Sequence, residues 1–327
     1  MALKIRRILV AVRDPARTPR SMLHKAAALA RGSGARVELF HAISEPVAAL
    51  ALRRGRSKSN AQEHMSEIAT RTVRQLERAA RAVFPPQVRW SAHAEWDYPP
   101  HEAIVRRVRA TRTDLVIAAV QPHRTGGRLL LANTDWELIR HCPCPVLLVK
   151  STRAYERPGI VVSLDPFHAH AKPASLDWRL LEAAGAVADA LGGELHAFHA
   201  HLPLAAMIPF ALSQPVPVAL PAEAEAEHTK RLRAAFDDLA KSARIPPARR
   251  HFMVGSVADT LDAVLRRTRA SIVVMGAVSR SGLKRVFIGS TAEELLDRLP
   301  CDVLVVKPQG FEADVPAEKP SFAQRII

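Results

Sequence analysis

Short aliphatic runs alternate along this chain with longer stretches in which apolar side chains return every three or four positions. The first run, Ile8 to Val12, leads into a helical pattern over Met22 to Ala30, and a second run covers Val37 to Ala42. A long amphipathic pattern spans Ala61 to Val83 and stops at Pro85-Pro86, where a helix cannot continue. A third strand is expected next, then a short helix near Glu102 to Val108 and unbroken apolar runs at Leu115 to Ala119 and Val146 to Val149. The succession then starts again. Ile160 to Leu164 is followed by a helix over Leu180 to Leu191, closed by Gly192-Gly193, and by a strand over Leu195 to Ala200. A long helix over Ala222 to Ser242 ends before Pro246-Pro247, and a shorter one covers Val257 to Arg267. Ile272 to Gly276 and Val303 to Val306 supply the last strands. Runs that are apolar at every position suit strands covered on both faces. Strands separated by helices build a parallel sheet with right-handed crossovers, and such sheets take ligands beyond the carboxyl ends of their strands.

The repeat is visible residue by residue. At a shift of 157, Thr134 meets Thr291, Leu138 meets Leu295, Cys144 meets Cys301 and Lys150 meets Lys307. Phe40-His41-Ala42 answers Phe198-His199-Ala200 at 158, and Asp14-Pro15 answers Asp165-Pro166 at 151. On this reading the second copy has a first loop about seven residues longer. A period this long marks duplicated domains rather than a solenoid. The expected division is 1–152, 153–308 and a tail 309–327, read as poorly ordered because it lacks periodicity and carries Pro316 and Pro320.

Composition narrows the class. With 48% hydrophobic and 24% charged residues over 327 positions, the chain reads as globular and long enough for two domains. No run of about 18 apolar residues is present and the run at Ile8 breaks at Arg13, so neither a membrane span nor a secretory leader is expected. Cys142, Cys144 and Cys301 form no disulfide framework; they read as small apolar residues beside strands, in a reducing cytoplasm. The net charge of +15 is spread over helix faces such as Arg71, Arg74, Arg78 and Arg81, mixed with Glu67 and Glu77, without the aromatic interleaving of single-strand binders. Nucleic acid is therefore not the expected partner.

Candidate chemistry gathers in the second copy, between Met275 and Thr291. Gly276 closes a buried strand, where a missing Cβ would let a ligand approach the backbone. Gly289, Ser290 and Thr291 open a helix whose free N–H groups favour phosphate; a plain turn and N-cap would use the same residues. No Walker A motif and no Gly-x-Gly-x-x-Gly follows a first strand. No nucleophile, base and orienter stand together, so the residues give no strong argument for catalysis. His168, His170, His196, His199 and His201 cluster around the first two strands of this copy; a metal site or pH-sensitive rim is weighed against solvent-facing loop and edge histidines, the plainer reading. The apolar, proline-broken segment from His201 to Pro221 reads as a lid or a greasy contact, and Trp90 and Trp96 as core or rim packing.

The stretch 276–291 resembles the universal stress protein signature Gly-x2-Gly-x9-Gly-Ser/Thr, with Gly276, Ser279, Gly289 and Ser290 on its marked positions. The tail from Ala292 to Pro308 is similar to that family too, and the likeness runs over residues 4–308. It implies two tandem Rossmann-like domains, each a five-stranded parallel sheet of order 3-2-1-4-5 flanked by helices, of the adenine nucleotide alpha hydrolase-like type. It also implies an ATP site, with Mg²⁺, in the second copy: Asp165 on the adenosine, Ala200 and Met275 beside the base, and the loop to Thr291 around the phosphates. The family's dimers join through fifth strands, so the two copies would form an intrachain pseudo-dimer, with a homodimer open. The signature's second glycine is Ser279 here, which costs more than glycine if the backbone needs a positive φ. In the first copy the matching positions are Ala119, Pro122, Ala132 and Asn133, so only Asp14 would persist and no nucleotide is expected there. The rival readings are an interaction scaffold, with or without a hydrophobic ligand, and a nucleic-acid-associated protein. An ATP-dependent enzyme of related fold is a third, against which stands the absence of a Ser-Gly-Gly-x-Asp-Ser loop.

Overall fold

The computed structural model describes residues 3–44, 58–120, 123–125, 128–130, 133–167, 175–203, 221–277 and 298–319. The contacts divide the chain into two compact units, Lys4–Tyr155 joined by the stretch from Gly310, and Glu156–Gln309.

In the first unit the strands are β1 (Arg7–Ala11), β2 (Arg36–Ile43), β3 (Trp90–Trp96), β4 (Leu115–Ala119), the short β5 (His123–Thr125) and β6 (Arg128–Leu130), and β7 (Val146–Val149). The helices are α1 (Arg20–Ser33), α2 (Lys58–Arg81), α3 (Pro100–Thr111) and α4 (Asn133–His141). The main sheet has the order β3-β2-β1-β4-β7, all parallel. Its centre is aliphatic and fully buried: Leu9 and Val10 on β1, Val116 and Ile117 on β4, Leu147 and Leu148 on β7. Continuous apolar runs are thus explained by cover on both faces. Trp96 donates its indole N–H to the Met65 carbonyl at 3.1 Å, and Trp90 meets Phe84 edge-on, so both tryptophans act in packing. The pair β5–β6 is an antiparallel ladder, His123 opposite Leu130, where only a loop was expected; the Gly126-Gly127 dipeptide in the sequence between them is a hairpin signal that the loop reading did not use.

The second unit repeats the plan with β8 (Gly159–Ser163), β9 (Glu194–His201), β10 (Arg250–Val254), β11 (Ala270–Gly276) and β12 (Asp302–Val306). Its helices are α5 (Ser175–Leu191), α6 (Ala222–Ser242) and α7 (Val257–Thr268). The sheet order is β10-β9-β8-β11-β12, again all parallel. Both units therefore have the expected 3-2-1-4-5 order. The expected stop of α5 at Gly192 has a physical cause, since Gly192 turns into the left-handed region at φ +58°, as Gly34 does at +72° after α1. Ser256 caps α7 by accepting from the Asp259 N–H at 3.2 Å.

The strand registers revise one expected correspondence. Ala11 lies beside Phe40 on β2, and Ser163 lies beside Phe198 on β9. The next bonds agree: Val12 N–H donates to the Phe40 carbonyl at 2.8 Å, Leu164 N–H to the Phe198 carbonyl at 2.9 Å. Val12 therefore corresponds to Leu164, and Arg13, not Asp14, corresponds to Asp165. The shift at the first strand is 152, so the second copy's first loop is longer by six residues, the difference between 158 and 152. Asp14 plays a local structural part instead. Its carboxylate accepts from the Ala16 N–H at 2.9 Å and caps a short 3-10 turn over Pro15–Arg17.

Candidate functional site

The middle strand of the second sheet is β8, with β9 on one side and β11 on the other. In a parallel sheet their carboxyl ends lie together, neighbours about 4.8 Å apart. Asp165 follows β8, Ala200 is next to last on β9, and Met275 and Gly276 end β11, so the fold brings these sequence-expected site residues to one sheet edge. Ser279, Gly289, Ser290 and Thr291 lie outside the described residues, as do Pro122 and Ala132 of the first copy. Asp165 and Ala200 are half-buried and Met275 is buried. Gly276 needs its missing Cβ for a reason other than the expected one. A Cβ there would meet Leu176 Cδ2 at 2.7 Å, so the space belongs to a buried leucine of α5 and serves helix–strand packing.

One peptide plane at this edge is held from both sides. His199 Nδ1 lies 2.8 Å from the Leu164 carbonyl oxygen, and because a carbonyl only accepts, Nδ1 carries the proton. The N–H on the other side of that peptide, from Asp165, donates to Asp177 Oδ1 at 3.1 Å. Asp177 sits in the first turn of α5 and is fully buried; His199 is 6% exposed. A strand and a helix thus fix the orientation of the peptide that carries Asp165. Sequence reasoning missed Asp177 altogether; its only signal was an acidic residue in the first turn of a helix.

The histidines depart from the expected solvent-facing placement. Burial pushes the His199 imidazole below its ordinary range, outweighing the raising effect of the Leu164 carbonyl. Its ring lies parallel to that of His201 at 6.1 Å and packs near Phe236 and Phe252. On the opposite face of β9, Arg267 donates to His251 Nδ1 at 3.0 Å, which leaves His251 Nε2 as donor to His196 Nδ1 at 3.1 Å. Burial, then the neighbouring His196 and Arg267, push His251 down to about 4. These rings are neutral at pH 7 and serve as apolar, directional packing. His168, His170 and the segment 204–220 lie outside the described residues. Among the described residues no group of three or more His, Cys, Asp or Glu side chains is placed to hold a metal.

The corresponding edge of the first unit keeps half of the peptide clamp: His41 Nδ1 donates to the Val12 carbonyl at 2.7 Å. Where Asp165 stands in the second unit, the first has Arg13, paired with Asp135 of α4 at 3.0 Å, a carboxylate only 2% exposed. The charge at the position is inverted and engaged within the protein.

The cysteines are buried thiols outside any disulfide, with Cys142 and Cys144 sulfurs 3.6 Å apart; the hydrogen bond shared with Cys142, then burial, push the Cys144 thiol well above its ordinary range, so it stays protonated. Among the described residues no helix is long and apolar enough to cross a membrane.

The model of the Universal stress protein family matches residues 4–150 and again residues 172–307. Universal stress protein E of Photorhabdus laumondii subsp. laumondii is 28% identical over 230 residues, 68% of this chain and 71% of the relative. Universal stress protein E of Escherichia coli K12 is 27% identical over 226 residues, 67% of this chain and 69% of the relative. Among solved structures, a functionally unknown protein from Pseudomonas aeruginosa PAO1 superposes with a TM-score of 0.68 at 24% identity, covering 94% of each chain. A universal stress protein from Archaeoglobus fulgidus DSM 4304 gives 0.59 at 16% identity, over 92% of this chain and 98% of that one. These likenesses support the fold, while the two family matches, one on each repeated sheet, decide membership: the chain belongs to the universal stress protein family as a tandem two-domain member.

Proposed function

We propose that this tandem universal stress protein is a regulatory module that binds one adenine nucleotide, ATP with Mg²⁺, in its second domain, while the first domain has a structural role. The observation that carries the reading is the contrast at one position: a carboxylate, Asp165, on a doubly held peptide in the second domain, and the internally paired Arg13 in the first. The residues present fit the group. A half-buried carboxylate at a sheet edge suits the hydroxyls of a ribose, and Met275 and Ala200 offer apolar flanks for a base. Gly276, Ser279, Gly289, Ser290 and Thr291 would line the phosphate path, with Thr291 and Ser290 supplying hydroxyls. Bound Mg²⁺ would neutralise phosphate charge; no residue is assigned to it. The module is not an enzyme on this reading, or at most a slow ATPase. Pairing of the two domains within the chain, a possible homodimer and a cytoplasmic home are parts of the same proposal, the last supported by three buried thiols outside any disulfide.

Isothermal titration of the purified chain with Mg-ATP, beside mass spectrometry of copurifying small molecules, tests it. One site per chain is expected, lost in Asp165→Ala and in Gly289→Val and kept in Asp14→Ala. Loss in Asp14→Ala equal to that in Asp165→Ala would overturn the assignment to the second domain. The second reading, an interaction scaffold for a hydrophobic ligand, is favoured by Ser279 and by the proline-broken apolar segment 202–221. Absence of nucleotide by both methods, with an apolar ligand found instead, would replace the first reading by this one.

A further inference from the structure

The stretch 311–319 has no helical or strand repeat that the sequence makes obvious, yet in the first unit its first five residues follow a two-residue alternation. Phe311 and Ala313 are half-buried and Val315 is buried, whereas Glu312 and Asp314 are exposed. Side chains that alternate in this way belong to extended backbone lying on a surface. That surface reads the backbone. Arg109 on α3 donates from Nη1 to the Val315 carbonyl and from Nη2 to the Ala313 carbonyl, each at 2.7 Å. Carbonyls two residues apart face the same way in an extended segment, so one guanidinium fork spans them. One turn earlier on α3, Arg106 reaches the Pro316 carbonyl at 3.3 Å. Arg106 is itself held rigidly: Nε and Nη2 each donate to Asp97 at 2.9 Å, and Nη1 donates to Glu102 at 2.9 Å. At the far end Lys319 forms an ion pair with Glu95 of β3.

These are the parts of a peptide-recognition site: two arginines aimed at main-chain oxygens, one of them held by two carboxylates, one buried seat for an aliphatic side chain and one acidic end. We propose that the flank of α3 together with the end of β3 is a docking site for an extended peptide, and that residues 311–319 are its resident ligand in cis, a separable strap rather than an integral strand of the first domain. The ligand it fits has a small aliphatic anchor at the Val315 position, proline after it, unpaired carbonyls at the anchor and two residues before, and a cation three residues beyond the proline. The contact rests chiefly on main-chain oxygens and one buried side chain, which is the scale of a reversible interaction. It is independent of the nucleotide reading.

The test uses the full chain carrying Val315→Asp, which places a charge in the apolar seat, and Arg109→Ala, which removes the fork. Cleavage by a glutamate-specific protease after Glu312 and Glu318 reports release of the strap. Both variants should be cut at least about tenfold faster than the parent chain, the scale of losing one or two charge-assisted hydrogen bonds or a buried anchor. A synthetic peptide of residues 309–327 should then bind the Val315→Asp chain by fluorescence anisotropy. It should bind the parent, whose site is filled, far more weakly, and the Val315→Asp, Arg109→Ala double variant at least about tenfold more weakly. Cleavage equal in the parent and both variants would show that the strap is not held there. Failure of the peptide to bind the Val315→Asp chain, with that chain's circular dichroism unchanged, would show that no separable site exists. Either result overturns the proposal.

Discussion

Among the described residues, the two copies of the domain differ in charge at one position past the end of their first strands. The second places Asp165 there on a peptide gripped by His199 and Asp177, while the first places Arg13 there and turns it into a pair with the buried Asp135. Both keep the histidine that holds the preceding carbonyl, His199 on Leu164 and His41 on Val12. The two copies thus share the frame of the edge and differ in the group the frame presents. A half-buried carboxylate invites a polar ligand; an arginine answered by a buried acid on a neighbouring helix satisfies itself. On the proposed reading, loss of a ligand site in the first copy is legible in what its residues bond to.

The comparison is most open to breaking by making the copies alike. Asp165→Arg, which writes the first copy's residue into the second, should reduce nucleotide affinity by at least about a hundredfold, since it removes an acceptor and places a cation against the sugar; titration calorimetry reads it, and unchanged affinity would mean that Asp165 does not face the ligand. Next in size, Arg13→Ala withdraws a partner from a carboxylate that is 2% exposed, and should destabilise the first domain by about 2–3 kcal/mol while leaving nucleotide stoichiometry alone. Hydrogen exchange resolved by segment separates the two domains in that measurement. The clamp comes third. Asp177→Ala and His199→Ala should each weaken nucleotide binding by about tenfold, and Asp177→Asn and His199→Asn, which restore an acceptor and a donor at the same reach, should recover most of it. A loss that the asparagine variants do not rescue would assign these residues to packing alone.

The smallest expected effect is a slope with pH. His251, pushed down to about 4, refuses a proton that its unfolded counterpart, at the ordinary 6.5, accepts. The unfolded state therefore binds more protons between these values, so the contribution is complete above pH 6.5 and is lost as pH falls toward 4. His196, His199 and His201 are pushed in the same direction, each chiefly by burial, and add to the same sign. Urea denaturation of the second domain between pH 7.5 and 5 should show falling stability, with a shallower slope in His251→Gln. A flat profile in the parent would contradict the buried neutral pair.

Much of the frame was legible before any coordinates. Helix Ala222–Ser242 and strands Leu115–Ala119 and Val146–Val149 fall where their patterns place them, because an all-apolar run between polar loops has few places to go except the middle of a covered sheet. The duplication was legible too, through Phe40-His41-Ala42 and Phe198-His199-Ala200, which do occupy matching places on β2 and β9. The candidate site was legible in part. Asp165, Ala200, Met275 and Gly276 meet at one edge as the crossover rule requires, although Gly276 makes its room for Leu176.

The sequence by itself determined the class, the doubling of the domain and the succession of main-sheet strands and helices, since these follow from the repeat at a near-constant shift, from local periodicity and from the handedness of crossovers. Tertiary structure alone decided the rest. Identical Asp-Pro dipeptides suggested that Asp14 answers Asp165, but the hydrogen-bond ladders with β2 and β9 count residues from a fixed partner and put Arg13 there. The same holds for Asp177, twelve residues from the peptide it holds, and for the strap 311–319, whose docking is specified by Arg106 and Arg109 some two hundred residues away. Charge placed opposite a backbone group across the fold has no period along the chain, and only the folded arrangement makes it visible.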